Sequence, residues 1–445
     1  MLKYLTSNFF SFKGLYVAFF IAVVFYGQLR LMFGLTPRHI AIVVMLIACM
    51  KQGVPFPMGR IMKTYMVFIL TYLVSATITG YIGNVLIMYY VGACVGFWAT
   101  KILVVKYNDG GLLLNLIVVL GVINAFVTIG QTFNMSFSDE LISFFQLRLP
   151  QKYVDRMDVE GSEDMALMLT RPGLFANSVY NGYFLMTAGV ASLMLFTRKL
   201  WMQRFIPWII ISFGCICVQE RGPIIILTLL SALAFYKIPI IRKRQYALFV
   251  LLFIIIVQFI VSSIGNLFPA SETNRTEVHR TFTTYYDDED DESESYTWSN
   301  YSRFAKESRL ADAGLNDSGR EYIYSQTIDY LTDYPIIGGV HRLHAMYDIY
   351  PHNLFLIAFC YGGIVGGVAI MLILFWQIMP LWRVIRKKIA DTNPVCFFTA
   401  LAYLAYTLNS LAHNRSVVTG DEVVWMLWGL FFFEYINFYK QDKRL

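Results

Sequence analysis

The chain has 445 residues, 57% of them hydrophobic and only 15% charged, with a formal net charge of +6 and a mean hydropathy of +0.54. No soluble exterior can be built from that composition, which excludes an ordinary globular domain and assigns the chain to a bilayer. At roughly 20 residues per crossing helix, the length holds about a dozen helices and one sizeable polar segment.

Apolar runs bounded by charge or by Gly and Pro predict helices at Leu15 to Leu29, His39 to Val54, Thr64 to Gly80, Tyr81 to Thr100, Leu112 to Phe133 and Tyr180 to Thr197. Six more follow at Trp201 to Val218, Pro223 to Tyr236, Tyr246 to Leu267, Leu354 to Trp382, Val395 to Leu411 and Val423 to Phe438. Runs of this length exclude a closed β-barrel. The expected fold is an all-α integral membrane protein of about 12 transmembrane helices. Residues 1–265 carry the first nine and residues 351–445 the last three, while residues 266–350 form a large, partly helical loop between helices 9 and 10.

Orientation follows from Lys and Arg in the short connections, which stay cytoplasmic. Lys3 and Lys13, Lys51 with Arg60 and Lys63, Lys101 and Lys106, Arg198 with Lys199 and Arg204, Lys237 with Arg242 to Arg244, Arg383 to Lys388, and Lys440 to Arg444 fall on one side. Both termini are then cytoplasmic. The loop at 266–350 lies on the other side and carries sixteen acidic residues against seven basic ones. No small-residue cleavage site follows the first apolar run, which reads as an uncleaved helix. All six cysteines fall within predicted spans, so neither a disulfide framework nor a metal site is expected. The acidic run Asp287 to Glu294 lacks the glycine and ligand spacing of a calcium loop and reads as a solvated segment.

No predicted span has a charge near its middle, and the two halves show no repeat, which disfavours a transporter or flippase. The polar chemistry gathers where helices emerge on the non-cytoplasmic side. Arg171 precedes the sixth helix. Glu220 and Arg221 sit in a turn too short to retreat into water. Arg320 opens an amphipathic stretch, Glu321 to Tyr334, capped by Asp317 or Ser318; a cation in a first turn opposes the helix dipole unless an anionic ligand joins both. Tyr350, His352 and Asn353 lie where the chain re-enters the membrane, with Pro351 at an early helical position. Each taken alone has a plainer reading, as a snorkelling arginine, a local ion pair or an interfacial histidine.

Together these residues resemble the O-antigen polymerase and ligase superfamily of polytopic, GT-C-like glycosyltransferases. The resemblance rests on Arg221 before the eighth helix, Gly319-Arg320 opening an amphipathic helix, the step Pro335 to Gly339, and His352 to Leu356 entering a helix with Gly362, Gly363, Gly366 and Gly367. It implies catalytic roles for Arg221, Arg320 and His352, and a weaker one in substrate binding for Arg171. It also implies a periplasmic site in a bacterial inner membrane and work without metal, cofactor or nucleotide sugar. The implied partners are an undecaprenyl-pyrophosphate-linked glycan donor and acceptor, membrane lipids and a chain-length regulator, with no nucleic acid.

The chemistry is consistent with those roles. Pyrophosphate leaves without a proton, and arginines bind its oxygens in bidentate fashion. A histidine of ordinary pKa near 6.5 accepts an acceptor hydroxyl's proton near neutrality. Direct attack opposite the pyrophosphate inverts the anomeric centre, and Asn353, Glu220 and Tyr350 are the expected orienting groups. Polymerisation of repeat units is the first expectation, and ligation of finished glycan to lipid A core or protein the second.

Overall fold

The computed structural model describes residues 11–26, 36–84, 87–133, 135, 137–138, 173–175, 178–197, 201–218, 220–237, 255, 320–347, 349–351, 353–386, 392–411 and 416–442. Every regular element among them is helical. In chain order these are α1 (Phe12–Phe25), α2 (Pro37–Met50), α3 (Arg60–Ile78), α4 (Ile87–Val105), α5 (Gly111–Thr132), α6 (Ser178–Ser192), α7 (Trp201–Cys217), α8 (Arg221–Lys237), α9 (Arg320–Asp333), α10 (Val340–Tyr347), α11 (Leu354–Arg386), α12 (Pro394–Ser410) and α13 (Glu422–Asp442). A 3₁₀ turn, Leu193–Thr197, extends α6. Eleven of the twelve predicted helices are thus present; the twelfth, Tyr246 to Leu267, falls outside the described residues except for Ile255. So do the acidic run, the cap residues Asp317 and Ser318, Arg171 and His352.

Among the described residues, five segments are long and apolar enough to cross a membrane: Arg60–Ile78, Ile87–Val105, Gly111–Thr132, Val179–Phe196 and Leu354–Arg386. What they show outward confirms the solvent. On α11, Ile364, Val365, Val368, Met371, Leu372, Phe375, Ile378, Met379 and Trp382 are all exposed at helical spacing, and Val67, Leu70, Val74 and Ile78 repeat the pattern on α3. Outward apolar stripes of that length are stable only against lipid tails.

The starts of these helices are written locally. Thr36 and His39 form a reciprocal capping box ahead of Pro37, and Asn393 accepts from the Cys396 amide at 2.9 Å ahead of Pro394, so each uses a side-chain cap with Pro in the first turn. α13 runs through the middle, packing on α4, α12 and α1. Its Trp425 and Trp428 are fully buried, and Trp425 lies 4.2 Å from Tyr65 of α3. The α4 face is held close by Gly96 against Met426 and by Gly429 against Phe97. α5, α6 and α7 meet the same way, Gly121 on Ala188 and Gly214 on Ala125. Such small-residue contacts drive helix association where lipid is as apolar as the side chains.

One prediction needs correction. Leu354 to Trp382 reads as one helix, but α11 breaks at Gly362 and Gly363, whose dihedrals (φ −132° and +59°) leave the helical region. A helix to which the sequence reading gave no bounds, α10, follows the step at Pro335 to Gly339. The break and this helix are one feature. The turn between α9 and α10 fills the break: the Gly339 amide donates to the Cys360 carbonyl at 2.6 Å and the Ile364 amide to the Pro335 carbonyl at 2.9 Å. Side-chain periodicity cannot reveal this, because the carbonyl and amide freed by the break are satisfied by backbone from elsewhere. From Gly363 to Arg383 the helix rises about 30 Å, one hydrocarbon thickness. α9, α10 and the first two turns of α11 therefore form a helical cap on the bundle.

Candidate functional site

Polar groups converge at one end of the bundle, where α2, α4, α6, α8, α11 and α13 begin and α3, α5 and α12 finish. Tyr72 near the end of α3 meets Tyr361 at 4.6 Å and Tyr90 at 5.6 Å between ring centroids. Its hydroxyl lies 2.7 Å from His341 Nε2 of α10. His344, one turn on, packs its ring 4.3 Å from Tyr350. Burial and the neighbouring His344 hold the His341 imidazole below its ordinary value of 6.5, so the ring is neutral at pH 7. Burial also pushes the Tyr330 hydroxyl of α9 up to about 12; it stays protonated and donates to the carbonyls of Gly338 and Gly339.

A buried ion pair lies in the same region. Arg38, second residue of α2, donates through Nε to Glu422 Oε1 at 2.7 Å and also through its terminal nitrogen. Its guanidinium stacks on Tyr89, 3.2 Å from the ring centroid. The adjacent Asp421 caps α13 by accepting from Val423 and Val424 and accepts from the Tyr406 hydroxyl at 2.7 Å. Tyr406 in turn lies 4.9 Å from Tyr183 of α6. These charges sit at helix starts and are matched there, which agrees with spans that carry none near the middle.

A second polar knot ties α5 to α6. Asn124 and Asn181 exchange a hydrogen bond at 2.6 Å, Asn181 donates to Thr128, and the amides of Gly173 and Leu174 donate to Gln131 and Asn124. The chain just after Arg171 is thereby anchored against α5.

Of the sequence-predicted site residues, Arg221 and Arg320 open α8 and α9; their side chains, like Arg171 and His352, lie outside the described residues. Glu220 is half-buried beside Gly182 of α6, and Tyr350 is half-buried against α10. Asn353 is a cap: its Oδ1 accepts from the amides of Phe355 and Leu356, and its Nδ2 donates to the Leu411 carbonyl at 3.2 Å. That last bond ties the start of α11 to the end of α12. The start of α8 meets the same end, since a Cβ on Gly222 would stand 2.8 Å from Asn409 Oδ1. The chain neighbours of Arg221 and of His352 therefore bracket the last turn of α12.

Sequence reasoning missed Arg38, Glu422, Asp421 and His341. Arg38 and Glu422 pair across 384 positions, a separation without a local signal. His341 follows a Pro-Gly turn and becomes visible only once α10 is seen to pack on α3 and α11.

No protein-family model matches the chain, and no curated protein matches it.

Proposed function

We propose that the protein is a surface-polysaccharide polymerase of the O-antigen type, joining undecaprenyl-pyrophosphate-linked repeat units on the periplasmic face of a bacterial inner membrane. The observation that carries this reading is the bracketing of the last turn of α12 by Gly222 and Asn353. It brings the backbone beside Arg221 and beside His352 to one place, as the resemblance requires. The seating of Pro335 to Gly339 in the break at Gly362 and Gly363 supports it too, because two motifs apart in sequence are halves of one contact.

In this reading twelve helices cross the membrane with both termini cytoplasmic. Arg221 and Arg320 neutralise the leaving pyrophosphate, each contact contributing about 2 to 4 kcal/mol in the transition state. His352 takes the proton of the attacking hydroxyl, worth roughly 10² to 10⁴ in rate. Attack from the face opposite the pyrophosphate inverts the anomeric carbon. Glu220 and Tyr350 orient the sugars, and Asn353 holds the entry to α11.

The test is the surface glycan of a strain lacking the gene. Single repeat units on lipid A core, restored to long chains by the wild-type gene and not by Arg221→Ala, Arg320→Ala or His352→Ala, are expected. Accumulated undecaprenyl-linked polymer would instead assign a ligase, and an unchanged glycan would contradict both.

A further inference from the structure

We infer that a groove between α1 and α5, with the Lys13 to Asp109 ion pair at its mouth, binds one phospholipid bearing a primary ammonium, its acyl chain along the groove and its headgroup on the ion pair. The site lies at the end of the bundle opposite the polar convergence, and it does not rest on the proposed function.

The groove follows from how the helices group. α5 packs on α6 and α7, whereas α1 packs on α2 and α13, so a cleft remains between the two sets. Gly14 of α1 has no side chain to fill it, and Pro207, which cannot continue the regular hydrogen bonding of a helix interior, forms part of the wall from α7. The cleft holds about 640 Å³, within the roughly 300 to 1,000 Å³ of built ligand sites. Its walls are almost wholly apolar, with Val17 of α1 facing Leu112, Leu116, Val119 and Ile123 of α5. Val119 and Ile123 lie on the same exposed stripe of α5 as Phe126, so the cleft opens sideways, toward lipid tails.

The length of the groove selects an acyl chain. From Leu112 to Ile123 the wall rises about 16 Å along α5, about half of a hydrocarbon core of roughly 30 Å. The cleft therefore starts where α5 starts and ends near mid-membrane, the reach of one tail in one leaflet. A second helix would need a trough along the whole of α5, whose 22 residues rise about 33 Å. The mouth selects the headgroup. Lys13 Nζ lies 2.5 Å from Asp109 Oδ2, with the two side chains 22% and 31% exposed, and the exposed Asn115 stands just inside. An ion pair this accessible contributes little to the fold, so sharing it with a ligand costs little. An ammonium has three donors and a carboxylate accepts at both oxygens, so the pair presents a cation for phosphate and an anion for an amine side by side. An ethanolamine headgroup matches both charges and can donate N–H to Asp109. A choline headgroup has the charge without the N–H, and a glycerol headgroup lacks the cation.

The test is titration of the full chain in detergent, by native mass spectrometry, with phosphatidylethanolamine, phosphatidylcholine and phosphatidylglycerol of identical chains. One phosphatidylethanolamine is expected to bind at least about tenfold tighter than either competitor, as for one charge-assisted hydrogen bond. Asp109→Asn should erase that preference. Val119→Trp, which fills the cleft from its open side, should weaken all three lipids at least about tenfold, while Phe126→Trp, on the same stripe outside the cleft, should change nothing. Both tryptophan variants are expected to keep the lipid-free unfolding midpoint. Phosphatidylethanolamine with a photoreactive diazirine in its chain, which needs no substitution, should label α5 between Leu112 and Ile123. Equal binding of the three headgroups, tighter binding of phosphatidylglycerol, unchanged affinity in a folded Val119→Trp, or label confined to other helices would overturn the site.

Discussion

Arg38 and Glu422 are both nearly inaccessible, and each is the other's neutralising charge. Removing one partner strands the other in a medium of low dielectric, so Glu422→Gln should cost about 3 to 5 kcal/mol of stability. The double change Arg38→Met with Glu422→Leu should recover most of it; unfolding midpoints of the four proteins in one detergent measure the coupling. Gly363 has φ +59°, and a Cβ on it would run into the Ile336 carbonyl. Gly363→Ala should therefore destabilise by about 1 to 3 kcal/mol and loosen the cap, seen as faster proteolysis between α9 and α11. His341 has a depressed pKa in the fold. Its contribution is fully present above about 6.5 and is lost as pH falls through the lower folded-state value. The unfolding midpoint should drop below pH 6.5, and that drop should be reduced in His341→Gln, which cannot charge. An equal drop in both proteins would remove His341 as its source.

At the scale of elements, hydropathy was a sufficient guide to eleven helices, because a lipid solvent demands long apolar runs and little else. Ends were less legible. α4 starts at Ile87 and not at Tyr81, since Tyr81 to Asn84 pack as a turn over α10, with Tyr81 6.5 Å from His341. The break in α11 was hidden because Gly is common in membrane helices and breaks one only when another segment supplies the hydrogen bonds. The α4 and α13 contact depends on thin residues, and a Cβ at Gly96 would already meet Met426 at 2.9 Å. Gly96→Leu is expected to push the helices apart at about 1 to 3 kcal/mol, whereas Gly83→Ala, at a site where a Cβ meets nothing, should leave the unfolding free energy within about half a kcal/mol.

At the scale of the molecule, polar groups gather at one end of the bundle, and the opposite end holds the Lys13 to Asp109 ion pair and Glu434 with Asn393. That division was legible in the sequence. Which polar residues meet was not, because Tyr72, His341, Asn409, Arg38 and Glu422 come from five helices and carry no shared motif. The most direct test is reconstitution of the purified protein in nanodiscs with an undecaprenyl-pyrophosphate-linked repeat unit and EDTA, resolving products by size. The expected product is a ladder of lengthening glycans with release of undecaprenyl pyrophosphate, lost in His352→Ala; no extension of the matched repeat unit, or a ladder undiminished in His352→Ala, would contradict a polymerase with His352 as its base.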